Sequence, residues 1–105
     1  MKDKLLSIVQ RYEELTYKLS DPEVISDMEQ FRMLSKEYSD ITDINSKANY
    51  YLQKLEQLEE DEEILNGDDL ELKELVGDEI ETLKNDLQGM EEHLKFMLLP
   101  KDPDD

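Results

Sequence analysis

The side chains in this sequence whose types could do chemistry are overwhelmingly carboxylates: 29 Asp and Glu, with a single histidine, His93, and no cysteine. Paired carboxylates can pass a proton, and a Glu-x-x-His step on facing helices is how helical bundles hold a dinuclear metal centre. That step fails here, because the residue three before His93 is Met90. Asn66-Gly67 inside an acidic run has the look of a calcium loop. With Gly67 placed sixth, the first, third and last ligand positions fall on Glu62, Ile64 and Lys73, and the last two cannot serve. The other acids have no partner nucleophile and no histidine nearby in sequence, so they read as a solvated face, and His93 as a solvated helix residue. No catalytic, cofactor-binding or metal-ligating residue is assigned, no cofactor is expected, and the chain reads as a binding module rather than an enzyme. Of the Tyr and Met, Tyr12, Tyr38, Met90 and Met97 fall in apolar seams, whereas Tyr17, Tyr50 and Tyr51 do not and are candidates for a contact surface.

The elements that must carry these residues are helices. Leu5, Ile8, Tyr12, Leu15 and Leu19 recur at threes and fours and predict a first helix over 3–19, with Leu6 and Val9 widening its stripe. Ser20, Asp21 and Pro22 end it, since Pro cannot continue the ladder and pushes the preceding residue out of the helical region. The same residues start a short turn at Pro22 to Ile25, capped by Ser20 or Asp21. Ser26 or Asp27 then caps a long helix, and Glu29 stands at capping-box spacing from Ser26.

That long helix organises the chain. No Pro or Gly lies between Glu23 and Asn66, and Phe31, Leu34, Tyr38, Ile41, Asn45, Ala48, Leu52 and Leu55 mark a coiled-coil-like seam. Asn45 has two readings: a polar seam residue that restrains register or oligomer state, or a neighbour of Ile44, which takes the core place after a small rotation. The helix is expected to fade between Glu59 and Leu65, where the acids Glu59 to Glu63 crowd its carbonyl end, and to close on a left-handed residue at Asn66-Gly67. Asp68 or Asp69 caps a third helix striped by Leu72, Val76, Ile80, Leu83, Leu87, Met90, Leu94 and Met97. Gly77 is its expected weak point, and Pro100 its end. The fold class is therefore all-α: an elongated antiparallel helical bundle of three main helices plus a short turn, forming one domain over residues 1–99. Residues 100–105 read as the start of a linker to a further domain.

Charge narrows the function. The formal net charge is −17, and it is uneven: residues 1–20 carry four basic against three acidic side chains, whereas residues 61–105 carry four against sixteen. Nucleic-acid phosphate and anionic membranes are disfavoured as direct partners, and a basic protein surface is favoured. The absence of Cys suits a reducing cytosol, and no apolar run reaches the roughly 18 residues of a membrane span, so a cytoplasmic location is expected.

Four blocks carry a resemblance. Arg11-Tyr12-Glu13-Glu14-Leu15, Leu19-Ser20-Asp21-Pro22-Glu23-Val24, Lys36-Glu37-Tyr38 and Leu98-Leu99-Pro100-Lys101-Asp102-Pro103 resemble, in order and spacing, the N-terminal domain of bacterial class I peptide chain release factors. The last block is more similar to the branch reading UAA and UAG than to the branch reading UGA. Gly77 departs from the helix formers the family tends to place there. The resemblance implies a helical accessory domain that positions a termination factor on the ribosome, toward the stalk base and GTPase-associated region of the large subunit. The family's decoding tripeptide and Gly-Gly-Gln loop lie downstream of this stretch, and neither occurs in it, so no active residue carries over. From the residues alone, a freestanding acidic coiled-coil adaptor or chaperone that self-associates is the other reading.

Overall fold

The computed structural model describes residues 1–100, and every regular element among them is a helix: α1 (Lys2–Leu19), α2 (Pro22–Ile25), α3 (Met28–Leu65) and α4 (Leu70–Met97). The all-α bundle of three main helices and a short turn is what the spacing predicts. Pro100 stands beyond the end of α4; the rest of the expected linker, 101–105, lies outside the described residues. Among the described residues no helix is long and apolar enough to cross a membrane.

The junctions are built by short polar side chains. Asp21 Oδ1 accepts from Glu23 N at 3.0 Å, capping α2 with Pro22 in its first turn. Asp27 Oδ1 accepts from Gln30 N at 3.2 Å and so opens α3. Ser26 does not form the capping box expected with Glu29; its hydroxyl donates back to Glu23 O at 3.1 Å and closes α2 instead. Asp69 Oδ1 accepts from Leu72 N at 3.1 Å and caps α4. An N-cap carboxylate satisfies an amide that the helix itself cannot, so Asp69→Ala is expected to cost about 1 kcal/mol, read as a lower urea midpoint at unchanged slope.

α3 ends where expected but not by the expected geometry, and the expected break in α4 is absent. α3 runs through its acidic stretch to Leu65 and ends without a left-handed residue; Asn66 N donates to Glu62 O and Gly67 N to Ile64 O, both at 3.1 Å, in right-handed geometry. A Cβ at Gly67 would stand 3.4 Å from the Ile64 carbonyl oxygen, an ordinary contact, so the turn does not depend on glycine there. α4 passes through Gly77 unbroken, since the helix-propensity cost of one Gly, about 1 kcal/mol, is outweighed by the burial of Val76 and Ile80 on either side.

The described chain forms two compact units, one from Met1 to Asn49 and one from Tyr50 onward. In the first, Leu15, Val24 and Leu34 make a buried cluster, with Leu19, Tyr38 and Ile41 packed against it. Leu15 lies with Leu34, and Arg11, one turn earlier, bonds Glu37, one turn later, so α1 and this part of α3 run antiparallel. Phe31, expected in the seam, is 38% exposed, because Val24 of the short turn joins Leu34 in the core and the seam starts there. In the second unit Tyr51, Val76, Ile80, Leu83, Leu87 and Leu94 are buried. Leu72, in the first turn of α4, is exposed against expectation. Glu79 interacts with Asp61, and Tyr51 feels Glu91, so α3 and α4 are antiparallel here too.

Candidate functional site

Three of the four sequence blocks meet in the first unit. The Arg11 guanidinium grips Glu37 with two parallel bonds, Nε to Oε2 at 2.6 Å and Nη2 to Oε1 at 2.7 Å, the fork geometry that makes Arg–carboxylate pairs directional. Its third nitrogen, Nη1, lies 3.1 Å from Glu14 Oε1, which also takes Lys18 Nζ at 2.8 Å. Beside this chain of charges, Tyr12 and Tyr38 pack edge to face with centroids 4.4 Å apart and planes at 71°. Thr42 Oγ1 donates to the Tyr38 carbonyl at 2.7 Å and stands 3.4 Å from Tyr12 Oη.

The charges shift one another. Glu37 is held below the ordinary carboxylate range, chiefly by its hydrogen bonds from Arg11, and Glu14 likewise by Lys18 and then Arg11. A depressed folded-state pKa contributes stability that is fully present above the unfolded value and is lost as pH falls through the folded one. Arg11 and Glu37 side chains are 35% and 39% exposed, so water screens the pair and its worth is on the order of 0.5–1 kcal/mol. Arg11→Met is expected to remove that increment at neutral pH and to narrow its gap from the parent as the medium is acidified below the carboxylate range, measured by urea melts at a series of pH values.

Around this scaffold the exposed side chains are apolar or aromatic. Tyr17 and Met28 are 79% and 85% exposed, Ile25 is half exposed, and Tyr17, Ser20, Asp21 and Pro22 line a shallow groove of about 250 Å³. Large apolar groups left in water next to a rigid turn suit a contact surface rather than a reaction. In the second unit Tyr50 is exposed under Lys54 Nζ, 5.4 Å from its ring centre, and lines a groove of about 460 Å³ with Asn85, Asp86, Gly89 and Met90.

Tyr51 is not the surface residue the spacing implies. It is buried, and burial, with Glu91 adding to it, raises its phenol pKa. The seam of α3 passes through Ala48 and Tyr51 to half-buried Leu55 and Leu58, with Leu52 on its flank, a wider stripe than a strict heptad. His93 is exposed, and Asn66-Gly67 ends a helix rather than folding into a ligand loop. Among the described residues no three His, Cys, Asp or Glu side chains gather to hold a metal. One acid was missed altogether: Asp61, assigned to the solvated run, is 2% exposed. Its spacing of three from Leu58 continues the buried stripe, and that was the available signal.

The residues of three blocks thus tie α1, α2 and α3 into one corner of the first unit, with Tyr17, Ile25 and Met28 exposed beside it. The chain belongs to the PCRF domain family, whose model matches residues 8–105. It is similar over its whole length to proteins named peptide chain release factor 1, at 43% identity in Finegoldia magna and 46% in Lactococcus lactis subsp. cremoris, covering 30% of each. The relative of that name in Ligilactobacillus salivarius is 45% identical over 98% of this chain and 29% of its own length. The chain thus spans about 30% of the length of the curated relatives it matches. No solved structure matches. These matches agree with the resemblance read from the four blocks, to the N-terminal domain of a class I release factor of the release factor 1 type.

Proposed function

We propose that this chain is the accessory, positioning domain of a cytoplasmic translation termination factor that directs UAA- and UAG-dependent peptide release on the ribosome. The observation that carries the reading is similarity over the whole chain to proteins named peptide chain release factor 1, together with the family match from residue 8 onward. In this reading residues 1–99 act as one helical domain, 100–105 lead toward the parts of the factor that decode and release, and no residue here is catalytic. The net charge of −17 suits a basic ribosomal protein at the stalk base of the large subunit, and suits RNA phosphate poorly. Separated from the rest of a factor, such a surface binds weakly, because tethering no longer raises its effective concentration.

The test uses ribosomes holding peptidyl-tRNA with a stop codon in the decoding site. The chain alone is expected to release no peptide above background, and removing these residues from the factor that carries them is expected to weaken ribosome binding or slow recycling. Release by the chain alone would overturn the non-catalytic reading. A factor indifferent to the deletion would overturn the positioning one.

A further inference from the structure

The side of α4 turned away from its buried stripe carries a pattern of its own. Val76, Ile80, Leu83, Leu87 and Leu94 occupy one side of the helix, in the core of the second unit. Leu75, Thr82, Gly89 and Phe96 follow one another at steps of seven, roughly 140° around the helix from that stripe, and all four are exposed. Leu75 and Phe96 each leave 72% of their surface in water. Large apolar side chains on the solvent side add nothing to the packing of this chain, and their heptad spacing matches the repeat at which a second helix lying along α4 would meet them.

Between these two anchors the surface is low. A Cβ at Gly89 would meet nothing within 4 Å beyond its own helix backbone, so no packing inside the chain calls for a glycine that weakens the helix. With Tyr50, Asn85, Asp86 and Met90, Gly89 lines a groove of about 460 Å³ that lies wholly within the second unit. Backbone left bare in the middle of a helix face lets another backbone come close. Tyr50 is 53% exposed and its ring already draws one cation, Lys54 Nζ at 5.4 Å from its centre, while Asp86 brings a carboxylate to the same groove. An aromatic ring and a carboxylate sharing a groove suit a Lys or Arg side chain.

Charge decides what kind of helix fits. Three and four residues beyond Leu75, Thr82 and Gly89 stand Asp78 and Glu79, Asn85 and Asp86, and Glu92 and His93, which edge the face with four acids and no Lys or Arg. Asp78, Asp86 and Glu92 form no ion pair among the described residues. A second copy of this chain would bring the same excess, sixteen acids against four bases in residues 61–105, and would be repelled. A helix with Lys or Arg beside its apolar stripe is attracted instead, and supplies the cations these edges lack.

We propose that the outer face of α4, from Leu75 to Phe96, is a docking groove for a basic amphipathic helix of a partner protein, with Leu75 and Phe96 as apolar anchors, Gly89 as the point of closest approach, and Tyr50 with Asp86 as the seat of one Lys or Arg. A basic partner is what the positioning role above already calls for, and the site rests on that role; the face and the manner of binding are new. The anchors hold the affinity and the acids guide the approach, so binding weakens with added salt and persists once the charges are screened.

The probe is an amphipathic helical peptide made only of Lys and Leu, titrated into the isotopically labelled chain at physiological salt, with the matching Glu–Leu peptide as control. NMR shifts are expected to be largest along α4 from Leu75 to Phe96 and at Tyr50, and the Glu–Leu peptide is expected to leave the spectrum unchanged. Gly89→Leu fills the groove, starts from a Cβ in open space and favours the helix, so it is expected to weaken the Lys–Leu peptide about tenfold or more while the melting temperature holds or rises. Phe96→Ala is expected to weaken binding similarly, and Met33→Ala, at an exposed position of the first unit, to leave it unchanged. Shifts spread evenly over the acidic surface, affinity unmoved by Gly89→Leu and Phe96→Ala, or a concentration-dependent footprint of the chain on itself at this face would each overturn the docking groove. Gly89→Leu placed in the factor that carries these residues separates the groove from the positioning role. If deletion of the domain weakens ribosome binding and Gly89→Leu does not, the groove is overturned and the role stands; if the deletion has no effect, the role is overturned and the peptide titration alone decides the groove.

Discussion

Leu15→Ala is expected to destabilise the first unit by about 2–5 kcal/mol, the largest effect of any single truncation near the recognised sequence blocks. Leu15 is 0% exposed and joins α1 to both α2 and α3 through Val24 and Leu34. Cutting it to a methyl removes the transfer free energy of three carbons and leaves a cavity that three helices would have to move together to close. Domains of this size have a total stability of about 5–15 kcal/mol, so the loss is a large fraction of what holds the corner. At about 4–8 °C per kcal/mol the melting temperature should fall by about 8 °C at the least. Tyr17→Ala is the matched control on the same helix, and at 79% exposure it should change stability by less than about 0.5 kcal/mol. Urea melts of both variants decide the matter; a Leu15→Ala cost close to that of Tyr17→Ala would mean that this cluster is not the core of the unit.

The helices were legible because their signals are local. Pro22 and the caps at Asp21, Asp27 and Asp69 are read within four residues of where they act, and the stripes of α1 and α4 repeat often enough to survive an error in phase. What the sequence concealed is decided across helices. Nothing in the spacing of Arg11 and Glu37, 26 residues apart, says that they bond, because that depends on how α1 packs against α3. The phase of α3 was misjudged for the same reason. Asn45, Ile44, Leu52 and Tyr51 all lie within a wide stripe, and only the partner helix selects which of them is covered. Asp61 is the sharpest case: composition assigns a residue inside Glu59 to Glu63 to solvent, yet one position of the run continues the buried face. The candidate contact surface was half legible, with Tyr17 and Tyr50 exposed as expected, while Met28 and Ile25 drew no notice because helix-spaced apolar residues are taken for core.

The two readings of Asn45 do not exclude each other in the structure, where both Asn45 and Ile44 are half buried. The difference lies in one atom: Asn45 Oδ1 is shut off from water and accepts no hydrogen bond. An amide oxygen in that position costs about 1–3 kcal/mol relative to one that is paired, and Asn is also a few tenths of a kcal/mol poorer than Leu as a helix former. Leu has the same branch point at Cγ and no polar atom to strand, so Asn45→Leu is expected to stabilise the chain by about 1–2 kcal/mol, read as a higher urea midpoint. Polar seam residues often hold down self-association at the expense of stability, so the same variant should be compared with the parent by sedimentation over a range of concentrations. A stabilised monomer means that Asn45 is a strained core residue and no more. Stabilisation together with a higher oligomer means that the amide was keeping the seam from pairing with a second copy. A destabilised variant would show that the oxygen has a partner in solution, and would remove the basis for expecting any gain from its loss.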